Sequence, residues 1–343
     1  MIVAAVFFVC AASAAPLDAP LAKLDELSRE QNDKPADEIR ALDKRIAALE
    51  KDFAAAGPSA APPLGRIAVD ASKPLKERVW AVNFLGLLSD PAAFAPLSEL
   101  SLDREQPEVV RAAAVSGLAS TGVGSASLRA TACGALAQDD LPAEALREAA
   151  LLASRVGCDE PKVLSRRAKD YGVRPRGEPA SLICALSISA LARSHPVAAA
   201  RELFSLFDFY RSGAPERGLV LMALREQLDN LKTFQAMAVA QACAALSAEA
   251  RAPGNAVAAL RLIAALDGRA CEPTLLRELE NADAEVVAVD AEVLADLKIA
   301  AAKKPLALIV DAAIDDPRFA PQKDRPAPTA LLERIQRAYN RLP

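Results

Sequence analysis

The chain has 343 residues, 52% of them hydrophobic but only 4% aromatic, so its apolar material is mostly Ala, Leu and Val. Its 41 Lys and Arg against 45 Asp and Glu give a net charge of −4, which excludes the strongly basic balance of a nucleic-acid-binding domain. A single histidine and the lack of any C-x-x-C spacing argue against zinc, and a Ser-His-Asp arrangement would have to use His195, which precedes a proline at a helix boundary.

Residues 1–14 have the form of a signal peptide. The apolar run Ile2 to Val9 ends in Ala12-Ser13-Ala14, which predicts cleavage before Ala15. No Lys or Arg precedes the run, and a buried N-terminal helix is the alternative; the run is too short to span a bilayer, so no stable membrane span is expected after cleavage. Residues 15–56 are more charged and carry Leu21, Leu24, Leu27, Ile39, Leu42, Ile46, Leu49 and Phe53 at helical spacing. They predict an N-terminal helical cap, or a short coiled coil, with Pro35 dividing or kinking it. Residues 57–65, which include Gly57, Pro58, Pro62 and Pro63, predict a stiff Pro-rich linker.

From residue 66 to 316 the pattern is repetitive. Leu75 to Gly86, Pro107 to Leu118 and Ala143 to Leu152 resemble one another, and their Arg78, Arg111 and Arg147 are spaced by 111−78 = 33 and 147−111 = 36 residues. That period fits a helix pair with its turns. Pro74, Pro91, Pro107, Pro142, Pro179, Pro196 and Pro273 fall where helices should begin, the position at which a missing amide costs least. A second similarity relates Ala132-Cys133-Gly134-Ala135-Leu136, Pro142 and Cys158 to Ala242-Cys243-Ala244-Ala245-Leu246, Pro253 and Cys271, and extends the array to about residue 300. Residues 317–328 predict a Pro-rich extended loop. Residues 329–343 predict a capping helix with Thr329 as N-cap, Leu332, Ile335 and Tyr339 inward, and Arg334, Arg337 and Arg341 outward.

At Pro91 and Asp103, Pro107 and Arg111, and Pro142 and Arg147, the chain resembles the HEAT-repeat family, most strongly over residues 66–170. The resemblance implies an all-α fold, a right-handed α-solenoid of about seven or eight antiparallel helix pairs. Stacked second helices of such a fold present a curved inner face to a partner.

Removal of the signal leaves Cys133, Cys158, Cys184, Cys243 and Cys271. In a stack of helix pairs the middle of one second helix lies beside the next intra-repeat turn. This predicts bridges Cys133–Cys158 and Cys243–Cys271, each stabilising by about 2–4 kcal/mol, with Cys184 a buried thiol. Pairing of Cys158 with Cys184, or five reduced core cysteines, are the alternatives.

Two features suggest a binding patch. Arg166, Arg167, Lys169, Arg174 and Arg176 cluster around the loop near Gly172, and Phe204, Phe207, Phe209 and Tyr210 concentrate aromatic residues on one helix. The plain reading makes the first a solvated face, like the acidic helix of Asp283, Glu285, Asp290, Glu292 and Asp296, and makes the aromatic helix core. As a surface, Phe204, Phe207, Phe209 and Tyr210 with Arg166, Arg167, Arg174 and Arg176 would anchor a partner.

No catalytic, cofactor-binding or metal-binding residue is identified. Gly122-Val123-Gly124 is a loop between helices, and Asp139-Asp140 and Asp315-Asp316 suit helix caps. The sequence therefore predicts an exported, periplasmic or secreted scaffold that binds a protein partner, with no cofactor, no nucleic acid and no enzymatic activity. A non-catalytic peptide- or polysaccharide-binding component of an envelope or secreted enzyme system is the alternative; an enzyme on the same scaffold would need a cleft of convergent polar residues.

Overall fold

The computed structural model describes residues 17–29, 36–175, 177, 179–194, 196–228, 235–249, 251–312, 316–320 and 328–343. Residues 1–14, for which a signal peptide is expected, and Pro35, Arg176, His195 and Asp315 lie outside them. The described residues are all helical, with no strand. They fall into two compact units, 1–152 and 153–343.

The first unit contains α1 (Asp18–Ser28), α2 (Ala36–Ala56), α3 (Ala61–Val69), α4 (Leu75–Leu87), α5 (Phe94–Leu102), α6 (Glu108–Leu118) and α7 (Ser125–Leu136). The unit boundary falls within α8 (Ala143–Val156). Helices α1 and α2 pack on each other and on α4, burying Leu24, Leu27, Leu49 and Phe53, with the Phe53 and Phe84 rings 5.0 Å apart.

The stiff linker expected over 57–65 is not formed. Gly57, at φ +58°, turns the chain into a 3-10 turn over Gly57–Ala60, and α3 follows at once. Pro58, Pro62 and Pro63 sit in first turns, where a proline sacrifices no hydrogen bond. Ala60, Ala61 and Leu64 are buried, so apolar packing rather than proline content decides this stretch.

The 33-residue recurrence has a physical counterpart. After α3, the Asp70 carboxylate accepts from the Ser72 amide at 2.9 Å, and Pro74 (φ −52°, ψ 137°) leads into α4. After α5, Asp103 accepts from the Glu105 amide at 3.0 Å, and Pro107 (φ −54°, ψ 142°) leads into α6. The same Asp-to-Pro turn is built twice. Its arginines are buried and bonded in matching ways: Arg78 donates to the Ala68 carbonyl at 2.9 Å and to Gln106, and Arg111 donates to Asp140 at 2.8 and 3.2 Å and to Gln138. The Arg111 hydrogen bond holds the Asp140 carboxyl below its ordinary range. Arg147 departs from the series, since it is half-buried and pairs with the adjacent Glu148 at 2.7 Å.

Helix α4 packs against α3 and α6, and α5 against α3, α6 and α7. The α4–α6 approach depends on glycine: a Cβ on Gly86 would lie 2.8 Å from the Gly117 Cα, and one on Gly117 would lie 3.1 Å from the Gly86 Cα. Backbone cannot yield as a flexible side chain does. Gly86→Ala is therefore expected to cost about 1–3 kcal/mol, read as a lower midpoint in urea; an unchanged midpoint would mean that the two helices slide apart freely.

The second unit contains α9 (Pro161–Gly172), α10 (Ala180–Ala192), α11 (Pro196–Phe209), α12 (Pro215–Glu226), α13 (Gln235–Ala248), α14 (Pro253–Ala265), α15 (Glu272–Glu278), α16 (Ala284–Asp296), α17 (Lys303–Ala312) and α18 (Pro328–Arg341). Helices α9, α10, α12, α14, α16 and α18 pack in that order, each on the next. A second series flanks them, with α11 on α9 and α12, α13 on α14, α15 on α16, and α17 on α18. Cys243 of α13 bridges to Cys271 with a Cα separation of 5.4 Å, and Cys184 is a buried free thiol. The reduced alternative and the Cys158–Cys184 pairing are thereby set aside. Cys133 belongs to the first unit and Cys158 to the second.

The acidic helix, α16, is a solvated face only in part, since Glu285 and Asp296 are exposed while Asp283 and Asp290 are buried and Glu292 is half-buried. Asp283 is its N-cap, accepting from the Glu285 and Val286 amides at 2.9 and 3.3 Å. Glu292 receives a two-pronged bond from Arg334 at 2.7 and 2.8 Å, and Asp296 pairs with Arg341. The Arg334 bond holds Glu292 below its ordinary carboxyl range. Arg337 and Arg341 are exposed as expected, whereas Arg334 is half-buried and joins α18 to α16 through Glu292. The apolar stripe also differs from expectation: Leu331, Ile335, Ala338 and Leu342 are buried, while Leu332 and Tyr339 are half-buried. The helix begins at Pro328, so Thr329 lies inside its first turn instead of capping it.

Asp290 is the exception on α16. It is fully buried, and neither carboxylate oxygen has a hydrogen-bond partner. Burial, with the nearby Glu278 charge adding to it, pushes this carboxyl well above its ordinary value of 3.8. The folded chain therefore keeps a proton that the unfolded chain releases, and the site loses stability as pH rises above the unfolded value. Asp290→Asn should stabilise the protein by about 1–3 kcal/mol at neutral pH, with the gain shrinking toward pH 4. Melting curves of both proteins across that range check this, and a gain independent of pH would refute it.

Candidate functional site

The candidate site forms where the loops after α9 and α11 meet. Helix α9 ends at Gly172, where Tyr210 leaves no room for a side chain: a Cβ there would lie 2.6 Å from the Tyr210 hydroxyl. Tyr210 follows α11 directly and sends its hydroxyl to the Ala168 carbonyl of α9 at 2.7 Å. The same hydroxyl meets the Cys184 thiol of α10 at 3.4 Å, so one side chain ties three helices together. Burial raises the Tyr210 phenol above its ordinary value and pushes the Cys184 thiol up to about 11. A thiol so placed is protonated at neutral pH and is no nucleophile. Tyr210→Phe leaves the Ala168 carbonyl without this donor and should cost about 1–3 kcal/mol by chemical denaturation; an unaltered midpoint would show that the hydroxyl ties nothing.

Above this tie lies an open cavity of about 870 Å³. Val173, Arg174 and Pro175 line it from the loop after α9, Phe209, Arg211, Ser212 and Gly213 from the end of α11 and its loop, and Glu216 from the first turn of α12. The second loop is fixed from beneath by the buried Glu249. Its carboxylate accepts from the Gly213 amide at 2.8 Å and from Asn255 Nδ2 at 2.8 Å, and pairs with Arg217 at 3.0 Å. Arg217 in turn lies 3.8 Å over the Phe207 ring. Ser212 donates to the Ala248 carbonyl at 2.6 Å. On the first loop the Arg174 guanidinium lies 4.1 Å over the Tyr171 ring.

The pocket brings together Arg174, Phe209 and Tyr210 of the expected patch. Phe209 is 45% exposed, with Lys169 Nζ 5.5 Å from its ring. Phe204, Phe207 and Tyr210 are 6%, 5% and 5% exposed and belong to the core, as helical periodicity dictates once Leu203 and Leu206 turn inward. Arg167 is also buried, with Asp170 at 4.0 Å, while Arg166 is exposed on the outer side of α9 and does not line the cavity. Arg176 lies outside the described residues. Sequence reasoning missed Arg211, Ser212, Gly213 and Glu216, although Arg211-Ser212-Gly213 directly after the aromatic helix was a turn signal carrying a cation.

Among the described residues no group of three or more His, Cys, Asp or Glu side chains is placed to hold a metal ion. Among them, too, no helix is long and apolar enough to cross a membrane. Among the described residues the lining offers two guanidiniums, one carboxylate, two hydroxyls already bonded to backbone and one exposed ring. That inventory suits recognition of a charged ligand better than proton transfer. No protein-family model matches this chain, and no curated protein matches it.

Proposed function

We propose that this chain is an exported, HEAT-like α-solenoid that holds a protein partner and carries out no catalysis of its own. The observation that supports this most is the turn built twice at 33-residue spacing, Asp70 to Pro74 and Asp103 to Pro107, with a buried arginine following each. Within each unit helices pack on near neighbours in chain order, as helix-pair repeats do. The right-handed sense of the array belongs to the same reading. The Cys243–Cys271 bridge accords with an oxidising compartment. Exposed Phe209 beside arginines supplies the residue types that anchor protein interfaces.

The test is capture from the native envelope or culture fluid with the mature chain from Ala15, together with intact mass before and after alkylation. One alkylated thiol, Cys184, and a co-purifying protein displaced by excess untagged chain are the expected results. One thiol also requires the Cys133–Cys158 bridge that sequence spacing predicts. Five alkylated thiols with no displaceable partner would remove both export and binding from this reading.

A further inference from the structure

We infer that the cavity between the loops after α9 and α11 takes an acidic polypeptide segment of a partner protein, with apolar side chains interspersed among its carboxylates. This rests on the protein-binding reading above and narrows it to one chemistry. Arg174 and Arg211 both line the cavity, both are exposed, and neither has a carboxylate partner among the described residues. Elsewhere in the same unit Arg217, Arg318, Arg334 and Arg341 are each tied to a carboxylate. A guanidinium presents a planar fork that matches a carboxylate edge, and here Arg174 is already held flat against Tyr171. The loop bearing Arg211 is likewise set in advance by the Ser212 and Gly213 bonds to Ala248 and Glu249, so little ordering remains to be done on binding.

Among the described residues Glu216 is the one carboxylate of the lining, and its charge reaches Cys184 and Tyr210. Against that single carboxylate the described lining sets two exposed guanidiniums and the exposed Phe209 ring. A cavity of about 870 Å³ is far larger than one carboxylate needs. An exposed aromatic ring in the same lining as two cations calls for a ligand that alternates apolar and anionic groups, which a peptide does and a free anion does not. A polyphosphate chain would want a wider basic field than a protein of net charge −4 supplies.

The experiment is fluorescence anisotropy with a labelled peptide of alternating Glu and Leu, compared with its Gln-and-Leu and Lys-and-Leu counterparts. The Glu peptide should bind the mature chain, weaken as salt is raised, and lose about ten-fold or more in affinity in the double variant Arg174→Glu, Arg211→Glu. Phe209→Ala should weaken it without changing the salt dependence. Both arginines are exposed, so the double variant should melt as the wild type does, and Arg174→Lys, Arg211→Lys should retain part of the binding. Equal binding of the Gln peptide, or unchanged binding by the double Glu variant, would overturn the inference. The same variant applied to partner capture separates the two readings. A partner retained by it leaves the binding module standing and removes the acidic-segment pocket, whereas a wild-type chain that captures nothing and ignores the Glu peptide removes both.

Discussion

Gly157→Ala should cost about 3–5 kcal/mol, because two penalties act at one atom. Gly157 has φ +81°, where a side chain is strained whatever space surrounds it. Space is lacking as well: an added Cβ would lie 2.4 Å from the Arg193 carbonyl oxygen and 2.9 Å from its carbon. The neighbourhood cannot shift to relieve this. Arg193 donates back to the Ser154 carbonyl, the Cys158 amide donates to Ser194 Oγ at 3.0 Å, and Ser194 donates to the Ala190 carbonyl at 2.8 Å. Moving the Arg193 carbonyl would break bonds at the end of α10 together. The measurement is equilibrium unfolding in urea, followed by far-UV circular dichroism. A loss below about 1 kcal/mol would show that the α10 terminus adapts and that the close approach is not a constraint.

Removing the Cys243–Cys271 bridge should have an effect of similar size. The bridge closes 28 residues, and the chain-entropy relation gives about 3–4 kcal/mol for a loop of that length. The segment it closes includes α14, which packs on α12, α13 and α16, and the bridge fastens α13 to the turn that opens α15, its neighbour in the flanking series. The cleanest comparison is Cys243→Ser, Cys271→Ser against wild type, each with and without reductant. Reductant should lower the wild-type midpoint to about that of the variant in the same reductant. Any remaining sensitivity in the variant would support the Cys133–Cys158 pairing expected from the sequence, since Cys184 is a thiol in both proteins. A wild-type midpoint indifferent to reductant would mean that the pair is reduced in the native chain or that the reduced chain loses no order there.

Features carried by backbone chemistry were the legible ones. Each proline expected at a helix start stands at a cap or in a first turn, and the recurring arginines mark equivalent sites at Arg78 and Arg111. Features decided by a neighbour in space were not. Pro62 and Pro63 read as linker because composition cannot tell an extended proline from one in a first helical turn. Asp290 and Glu292 read alike, as surface acids of one helix, yet the first is entombed and the second is held by an arginine 42 residues away. The site was half visible for the same reason. Helical spacing alone turns Phe209 out and Phe207 in, but only the fold brings Arg211 to the cavity that Arg174 lines.

The paired turns at Asp70–Pro74 and Asp103–Pro107 also set a grain for length variation. Their backbone angles at the proline agree within a few degrees, φ −52° and −54°, ψ 137° and 142°. A duplicate of residues 74–106 spliced in after Gln106 would begin and end on junctions the chain already makes. An insertion of some other size would leave Arg78 or Arg111 facing a turn that offers it no acceptor. Relatives of this protein should therefore differ in length over this region by whole steps of 33 residues, and shorter insertions should collect in the loop that carries Gly122 and Gly124, which itself supplies no acceptor to Arg78 or Arg111.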